Sequence, residues 1–313
     1  MKEQKTGRPV LLDCDPGIDD ALAIFMALAS DELKVEAITA VAGNVPVERT
    51  ALNALQLVEL SGYEVEVASG AGAPLYGKKK TAESVHGRNG IGDIELPPPV
   101  GALSCQTARE LIYRKALEQG GELEIIATGP LTNIASALLI YPDLKNLIRH
   151  IWIMGGSAYS GNRTPAAEFN IYADPHGASI VFQSGVPITM CGLDVTNRAL
   201  IYREDIERLS LFQSDVARKS AQMLTWYLGF YKSFGFEGVA MHDPFTVAAA
   251  IDPSLAATRH LYVDVETEGE FTFGQTVVDI LKVSGKKPNA HVALELDNKG
   301  FVDLFEKLMR SYG

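Results

Sequence analysis

Short apolar runs closed by turn residues alternate with helix-length apolar stretches along the first two-thirds of the chain. Val10 to Cys14 (VLLDC) stops at Asp-Pro-Gly, which predicts a buried strand with a turn behind it. The stretch ALAIFMALAS after Asp19-Asp20 is long and rich in Ala and Leu, and predicts a buried helix. Val35 to Ala42 predicts a second strand ending at Gly43-Asn44, and Val47 to Ser61 a second helix. The unit recurs as strand Leu123 to Thr128 and helix Leu131 to Tyr141. It recurs again as strand Ile151 to Met154, a helix over Pro175 to Ser184, and strand Ile188 to Cys191. Apolar strands alternating with helices imply a mainly parallel sheet covered on both faces, with ligands at the carboxyl ends of the strands.

Beyond Gly192 the pattern shifts. Helices are predicted over Glu204 to Leu209, Asp215 to Phe234 and Pro244 to Ile251. Late strands follow at Leu261 to Glu266, Thr276 to Leu281 and Val292 to Leu296, and Asn298 to Ser311 reads as a closing helix. No low-complexity linker or internal repeat divides the sequence. The expected architecture is one α/β domain over residues 1–313, its mainly parallel central sheet flanked by helices, with a helical segment covering the ligand face.

Composition narrows the function classes. With 313 residues, 47% hydrophobic and 21% charged, a chain buries roughly three-quarters of its unfolded surface, which excludes disorder and fibrous architectures. The 28 Lys and Arg against 39 Asp and Glu give a net charge of −11, so a nucleic-acid partner is not expected. The basic run Lys78-Lys79-Lys80 reads as a solvated loop. Cys14, Cys105 and Cys191 are far apart and form neither a disulfide framework nor a zinc site, which suits a reducing compartment. MKEQKTGRPV carries no apolar signal core, and the longest apolar run, Ala21 to Ala29, is about half of a membrane span. A soluble, cytoplasmic protein without a membrane partner is the expectation.

The chemistry concentrates at the predicted strand ends. DCDPGIDD places Asp13, Asp15, Asp19 and Asp20 within eight residues. Carboxylates this close resist joint ionisation unless a cation or donors compensate. Plainer roles compete: Asp19 and Asp20 suit the positive end of the following helix, and Asp15 could cap the Pro-Gly turn. Other strand ends add Asn44, Thr128 and Met154-Gly155-Gly156. Farther on come Glu168, Asn170 and Asp174 in AEFNIYADP, then His242-Asp243. An all-oxygen set favours a hard cation, Ca²⁺ or Mg²⁺, over zinc, and several carboxylates lean towards Ca²⁺. No GxGxxG follows the first strand, and neither GxxxxGK[ST] nor GxSxG occurs. LLDCDPG is similar to the opening of haloacid-dehalogenase-type phosphatases, with Asp13 as nucleophile and Asp15 as acid, but that pattern has Thr or Val where Gly17 stands.

A second resemblance spans more of the chain. Asp15-Pro16-Gly17-Ile18-Asp19-Asp20, Val41-Ala42-Gly43-Asn44, His86-Gly87-Arg88-Asn89-Gly90, Thr128-Gly129-Pro130-Leu131-Thr132-Asn133, Met154-Gly155-Gly156, Glu168-Phe169-Asn170 and Met241-His242-Asp243-Pro244 occur in this order. Together they resemble the inosine–uridine-preferring nucleoside hydrolases. The resemblance implies hydrolysis of the N-glycosidic bond of ribonucleosides to ribose and free base. It also implies one Ca²⁺ held by Asp15, Asp20, the Thr128 main-chain carbonyl and Asp243, with Asp19 as general base towards a metal-bound water. Asn44, Asn162, Glu168, Asn170 and Asp243 would grip the ribose hydroxyls, with Asp15 and Met154 beside them. His242 or His86 would protonate the departing base. A homodimer or homotetramer is implied too. A non-catalytic nucleoside-binding protein of the same fold is the alternative, although a binder has no need of Asp19. Trp226, Phe230 and Phe234, four residues apart on a predicted helix, would share one face, which either packs in the core or stacks on the base. Flat apolar rings there predict a base-tolerant enzyme accepting inosine as well as uridine.

Overall fold

The computed structural model describes residues 6–233 and 235–313; Phe234, the third member of the predicted aromatic stripe, lies outside the described residues. The chain opens with β1 (Arg8–Cys14), α1 (Ile18–Ala29), β2 (Leu33–Ala40), α2 (Val47–Ser61) and β3 (Glu66–Ser69). Next come α3 (Glu83–His86), α4 (Ala108–Glu118), β4 (Leu123–Ala127), α5 (Thr132–Ile140), β5 (Ile148–Met154), α6 (Phe169–Ala173), α7 (Pro175–Phe182) and β6 (Ile188–Cys191). The remainder comprises α8 (Leu193–Thr196), β7 (Leu200–Ile201), α9 (Arg203–Ser210), α10 (Asp215–Ser233), β8 (Val239–Ala240) and α11 (His242–Ile251). It ends with β9 (Ala256–Leu261), β10 (Val263–Val265), β11 (Thr276–Val278), β12 (Ala290–Leu296) and α12 (Asn298–Arg310).

Eight strands form the central sheet in the order β3-β2-β1-β4-β5-β6-β12-β9. Every pairing is parallel except the last, where β9 runs antiparallel to β12. The order reverses between β1 and β4, so the chain leaves these two neighbouring strands towards opposite sides. A crevice opens at their carboxyl ends, where α/β sheets bind ligands. Asp15 follows β1 and Thr128 follows β4, which brings two of the sequence motifs to the mouth of that crevice.

Two apolar layers cover the sheet. One face packs against α1, α2 and α10 to α12, the other against α4, α5 and α7. Helix α1 is buried along its whole length, including Asp19 and Asp20, because α2, α10, α11 and α12 all pack on it. An all-round apolar helix is what such a position requires.

The late strands differ from expectation. The apolar run Leu261 to Glu266 splits: Leu261 ends the edge strand β9, while Val263 to Val265 pair antiparallel with Thr276 to Val278 in a separate ribbon. Only β12 of the predicted late strands joins the central sheet. Strand β3 and helix α4 lie in a stretch to which the hydrophobic pattern assigned no element.

Candidate active site

The loop after β1 turns sharply because Gly17 and Gly43 leave room. A side chain at Gly43 would collide with the Asp15 carboxylate, and one at Gly17 would meet Asn44 and His86. Gly17 caps α1, and its N–H donates to Asp20 Oδ2 at 2.9 Å. Asp20 Oδ1 accepts from the Thr128 hydroxyl at 2.7 Å, and Oδ2 also accepts from Asn44 Nδ2 at 3.3 Å. Asp20 thus does the helix-start work that a plain reading assigns it, and both its oxygens are held. Asp15 Oδ2 accepts from the Asn44 N–H at 2.7 Å, while the Asn44 amide donates to the Asp15 carbonyl at 3.1 Å.

Asp19 is different. Its Oδ1 is buried without a hydrogen-bond partner, and His86 Nδ1 stands 3.9 Å away. Carboxylate oxygens of Asp19, Asp20 and Asp243 lie within 4.8 Å of one another, all three residues buried. Burial, then the charge of Asp20, pushes the Asp19 carboxyl up to about 7. Asp15 and Asp243 are raised well above the usual carboxylate range by burial and by the same neighbouring carboxylates. Ionised together at neutral pH, such a group needs a cation at its centre. Oxygen-only donors and an orphaned buried oxygen fit Ca²⁺ or another hard divalent ion.

The far wall is built by β5 and the helix after it. Glu168 caps α6, accepting from the N–H groups of Asn170 at 2.9 Å, Ile171 at 3.2 Å and Gly156 at 3.0 Å. Burial raises its pKa against those bonds. Asn170 Nδ2 donates to the carbonyls of Thr128 at 2.7 Å and Met154 at 3.1 Å, knitting the ends of β4 and β5 together. Asn162 is exposed on the loop between, its Oδ1 accepting from the Phe169 N–H at 3.0 Å.

The two histidines are fixed in different ways. His86 Nδ1 accepts from the Ile18 N–H at 3.2 Å, so the neutral ring carries its proton on Nε2. Burial, then His242, pushes its pKa down to about 3. His242 Nδ1 meets the Thr196 hydroxyl at 2.8 Å and Nε2 meets the Tyr231 hydroxyl at 3.3 Å. Burial holds His242 down at about 4. Both imidazoles are therefore neutral at physiological pH.

These groups surround a cavity of about 540 Å³. Asp15, Asp19, Asn44, His86, Thr128, Met154, Asn162, Glu168, Asn170, Phe230, His242 and Asp243 line it; Asp20 supports it from behind. Tyr227, Tyr231, Phe236, Arg163 and Asn197, which sequence reasoning missed, line it too. Trp226 does not. It packs against the apolar core beside Gly92 and borders a separate hollow with Gln222 and Arg218. The reason is helical phase: Phe230, Tyr227 and Tyr231 follow one another around α10 at steps of about 60° and 40°, and Trp226 lies about 40° beyond Phe230 on the side away from the tyrosines, past the edge of the cavity face. Asp13 is also away from the cavity. It is fully buried on β1, held by Thr39 of β2 at 2.6 Å and Asn133 of α5 at 2.8 Å, so the phosphatase reading has no accessible nucleophile.

The family model for the inosine-uridine preferring nucleoside hydrolases matches residues 10–303. The chain belongs to this family. The Pyrimidine-specific ribonucleoside hydrolase RihA of Escherichia coli O9:H4 (strain HS) is 46% identical over 307 residues, covering 97% of this chain and 99% of the relative. Among solved structures, the purine-preferring ribonucleoside hydrolase from Gardnerella vaginalis superposes with a TM-score of 0.92 at 34% identity, covering 97% of this chain and 98% of that one. The plant nucleoside hydrolase PpNRh1 gives 0.92 at 33% identity, covering 97% and 99%. The chain is thus a nucleoside N-ribohydrolase.

For this hydrolase, the split of the aromatic stripe has a measurable consequence. Phe230→Ala should raise KM for nucleosides with little change in thermal midpoint, since stacking on a base is worth roughly 1–3 kcal/mol. Trp226→Ala should instead lower stability by about 3 kcal/mol and leave KM nearly unaltered. A KM effect confined to Trp226→Ala would reverse the assignment.

Proposed function

We propose that the enzyme is a calcium-dependent ribonucleoside hydrolase in which Asp19 is the general base. The observation that carries this reading is the buried group of Asp19, Asp20 and Asp243, in which one Asp19 oxygen has no protein partner. Asp15, Asp20, Asp243 and the Thr128 carbonyl would hold the ion. Bound there, the ion would neutralise the carboxylates and make the attacking water more acidic. Asp19 takes the proton of the attacking water. Asp15, Asp243 and Glu168 form a negative wall that favours the positive charge growing on the ribose ring as the bond to the base breaks. Asn44, Asn162, Glu168, Asn170 and Asp243 recognise the ribose hydroxyls. The departing base gains negative charge. Thr196 can donate to His242 Nδ1, His242 Nε2–H to the Tyr231 oxygen, and the Tyr231 hydroxyl to the base. With the ring neutral, that chain makes His242 the group that orients and polarises the Tyr231 hydroxyl as a hydrogen-bond donor to the departing base, which takes its proton from solvent on release.

We also infer a preference for pyrimidine ribonucleosides. The expectation of broad base tolerance rested on Trp226, which lies outside the cavity, and on apolar rings. The cavity face of α10 instead carries two hydroxyls, on Tyr227 and Tyr231, beside Phe230. The relative at 46% identity is named for pyrimidine specificity. Ribose release from uridine, cytidine and inosine by calcium-loaded protein tests both proposals. The expected kcat/KM for uridine exceeds that for inosine by about ten-fold or more. A preference for inosine would overturn the base assignment alone. Undiminished turnover after complete removal of divalent ions would overturn the calcium dependence.

A further inference from the structure

Thr276 lies in the β10–β11 ribbon, far along the chain from every motif of the active site, and its neighbour Val277 is half exposed. Yet the Thr276 side chain is buried against the end of β5. Its hydroxyl accepts from the Ser157 N–H at 2.8 Å and donates to the Ser157 carbonyl at 2.6 Å. Both main-chain polar groups of one residue are thus pinned by a single oxygen. The preceding Gly156 has φ +73°, and a side chain there would strike Thr276. Its carbonyl accepts from the Leu193 N–H at 2.9 Å, and its N–H donates to Glu168 Oε2.

The other two donors to Glu168 come from the start of its own helix, α6. They hold the carboxylate relative to α6 but do not tie it to the sheet. Gly156 ties the carboxylate itself to the end of β5, beside the Asn170 amide that fastens α6 to β4 and β5, and Thr276 orients the peptide next to Gly156. We infer that Thr276 is a positioning residue for hydrolysis, acting through Ser157 and Gly156 to aim Glu168 at a ribose hydroxyl. This rests on the proposed reading of Glu168 as a ribose contact. The ribbon is then a buttress of the sugar site.

The test uses the full-length, calcium-loaded enzyme with uridine and its 2′-, 3′- and 5′-deoxy analogues. Thr276→Val removes the hydroxyl at nearly constant volume and should lower kcat/KM for uridine about 10–100-fold, the scale of a misplaced binding group. Calcium content should stay unchanged, because Thr276 touches none of Asp15, Asp19, Asp20 or Asp243. Thr276→Ser should restore activity. Glu168→Gln should lose its effect on the one analogue that lacks the hydroxyl it contacts, and Thr276→Val should lose its effect on that same analogue. A Thr276→Val penalty that is absent, or equal on all four substrates, while Glu168→Gln discriminates among them overturns the inference alone. Glu168→Gln acting equally on all four overturns the ribose reading and the inference with it. If Thr276→Val does not fold, Thr276→Cys, a weaker donor and acceptor of similar size, must show the same analogue dependence in reduced form.

Discussion

Asp19→Asn is expected to lower kcat by about 10²–10⁴-fold, the usual worth of a positioned general base, while the protein still binds calcium. Asp20→Ala is expected to lose the metal. The two side chains are adjacent in sequence and share a helix start, but their oxygens are committed differently. Both Asp20 oxygens are held by Gly17, Asn44 and Thr128, whereas Asp19 Oδ1 is open. An oxygen already satisfied by donors takes a proton poorly, and one buried without a donor gains by taking one. Burial and the charge of Asp20 raise Asp19 to about 7 in the metal-free site, and a bound cation would draw it back towards the ionised form that a general base needs. Calcium titration of both variants beside steady-state kinetics decides the matter. Equal loss of metal in the two variants, or normal turnover by Asp19→Asn, would merge the roles. The same experiment separates an enzyme from a nucleoside-binding relative, since removing an unused base costs a binder nothing.

Much of this site was legible because its signals are local. In DPGIDD, two tight steps of chain bring Asp15, Asp19 and Asp20 to one end of β1, and the spacing alone predicts crowding. The parallel α/β pattern then implies that residues at other strand ends meet them, as Thr128, Asn170 and Asp243 do. What escaped was long-range or depended on phase. An aromatic-rich helix such as α10 offers several candidate faces, and periodicity does not say which faces a cavity. Tyr227 and Tyr231 were missed and Trp226 misplaced for that reason. Thr276 carries no motif, and its bond to Ser157 spans 119 residues. Helix α4 is another matter. Ala108, Leu111, Ile112 and Ala116 form its buried stripe, and Thr107 with Glu110 forms a capping box. The signal was present in the sequence, in a helix otherwise polar enough to pass for a loop.

Metal removal should make the protein's stability fall as pH rises, and calcium should reverse that trend. The sign follows from the carboxylates. Asp19 is raised to about 7, and Asp15 and Asp243 are raised as well, against about 3.9 in an unfolded chain. A group whose folded pKa is raised contributes stability that is fully present below its unfolded pKa and lost as pH climbs through the folded value. His86, His150 and His242 work in the opposite sense: burial lowers them to about 3, 4 and 4. Their contribution is present above the unfolded value of about 6.5 and is lost as pH falls from there through the folded values. The two effects overlap below pH 6.5, so the clean window lies above it, from about pH 7 to 8.5. There the histidines are largely neutral in both states and the carboxylates dominate; the buried Cys14 and Cys191 thiols, raised by burial, add a fall of the same sign towards the top of the window that calcium does not reverse. Chelated protein should lose thermal midpoint steadily across this window. Added calcium should raise the midpoint more at pH 8.5 than at pH 7, because protons and the cation compete for the same oxygens. At a hundred-fold excess of free ion over Kd the stabilisation is about 2.7 kcal/mol. Differential scanning fluorimetry with and without chelator at three pH values reads it directly. A calcium increment that shrinks as pH rises, or a chelated midpoint independent of pH, would mean that Asp15, Asp20 and Asp243 are not the site that the ion occupies.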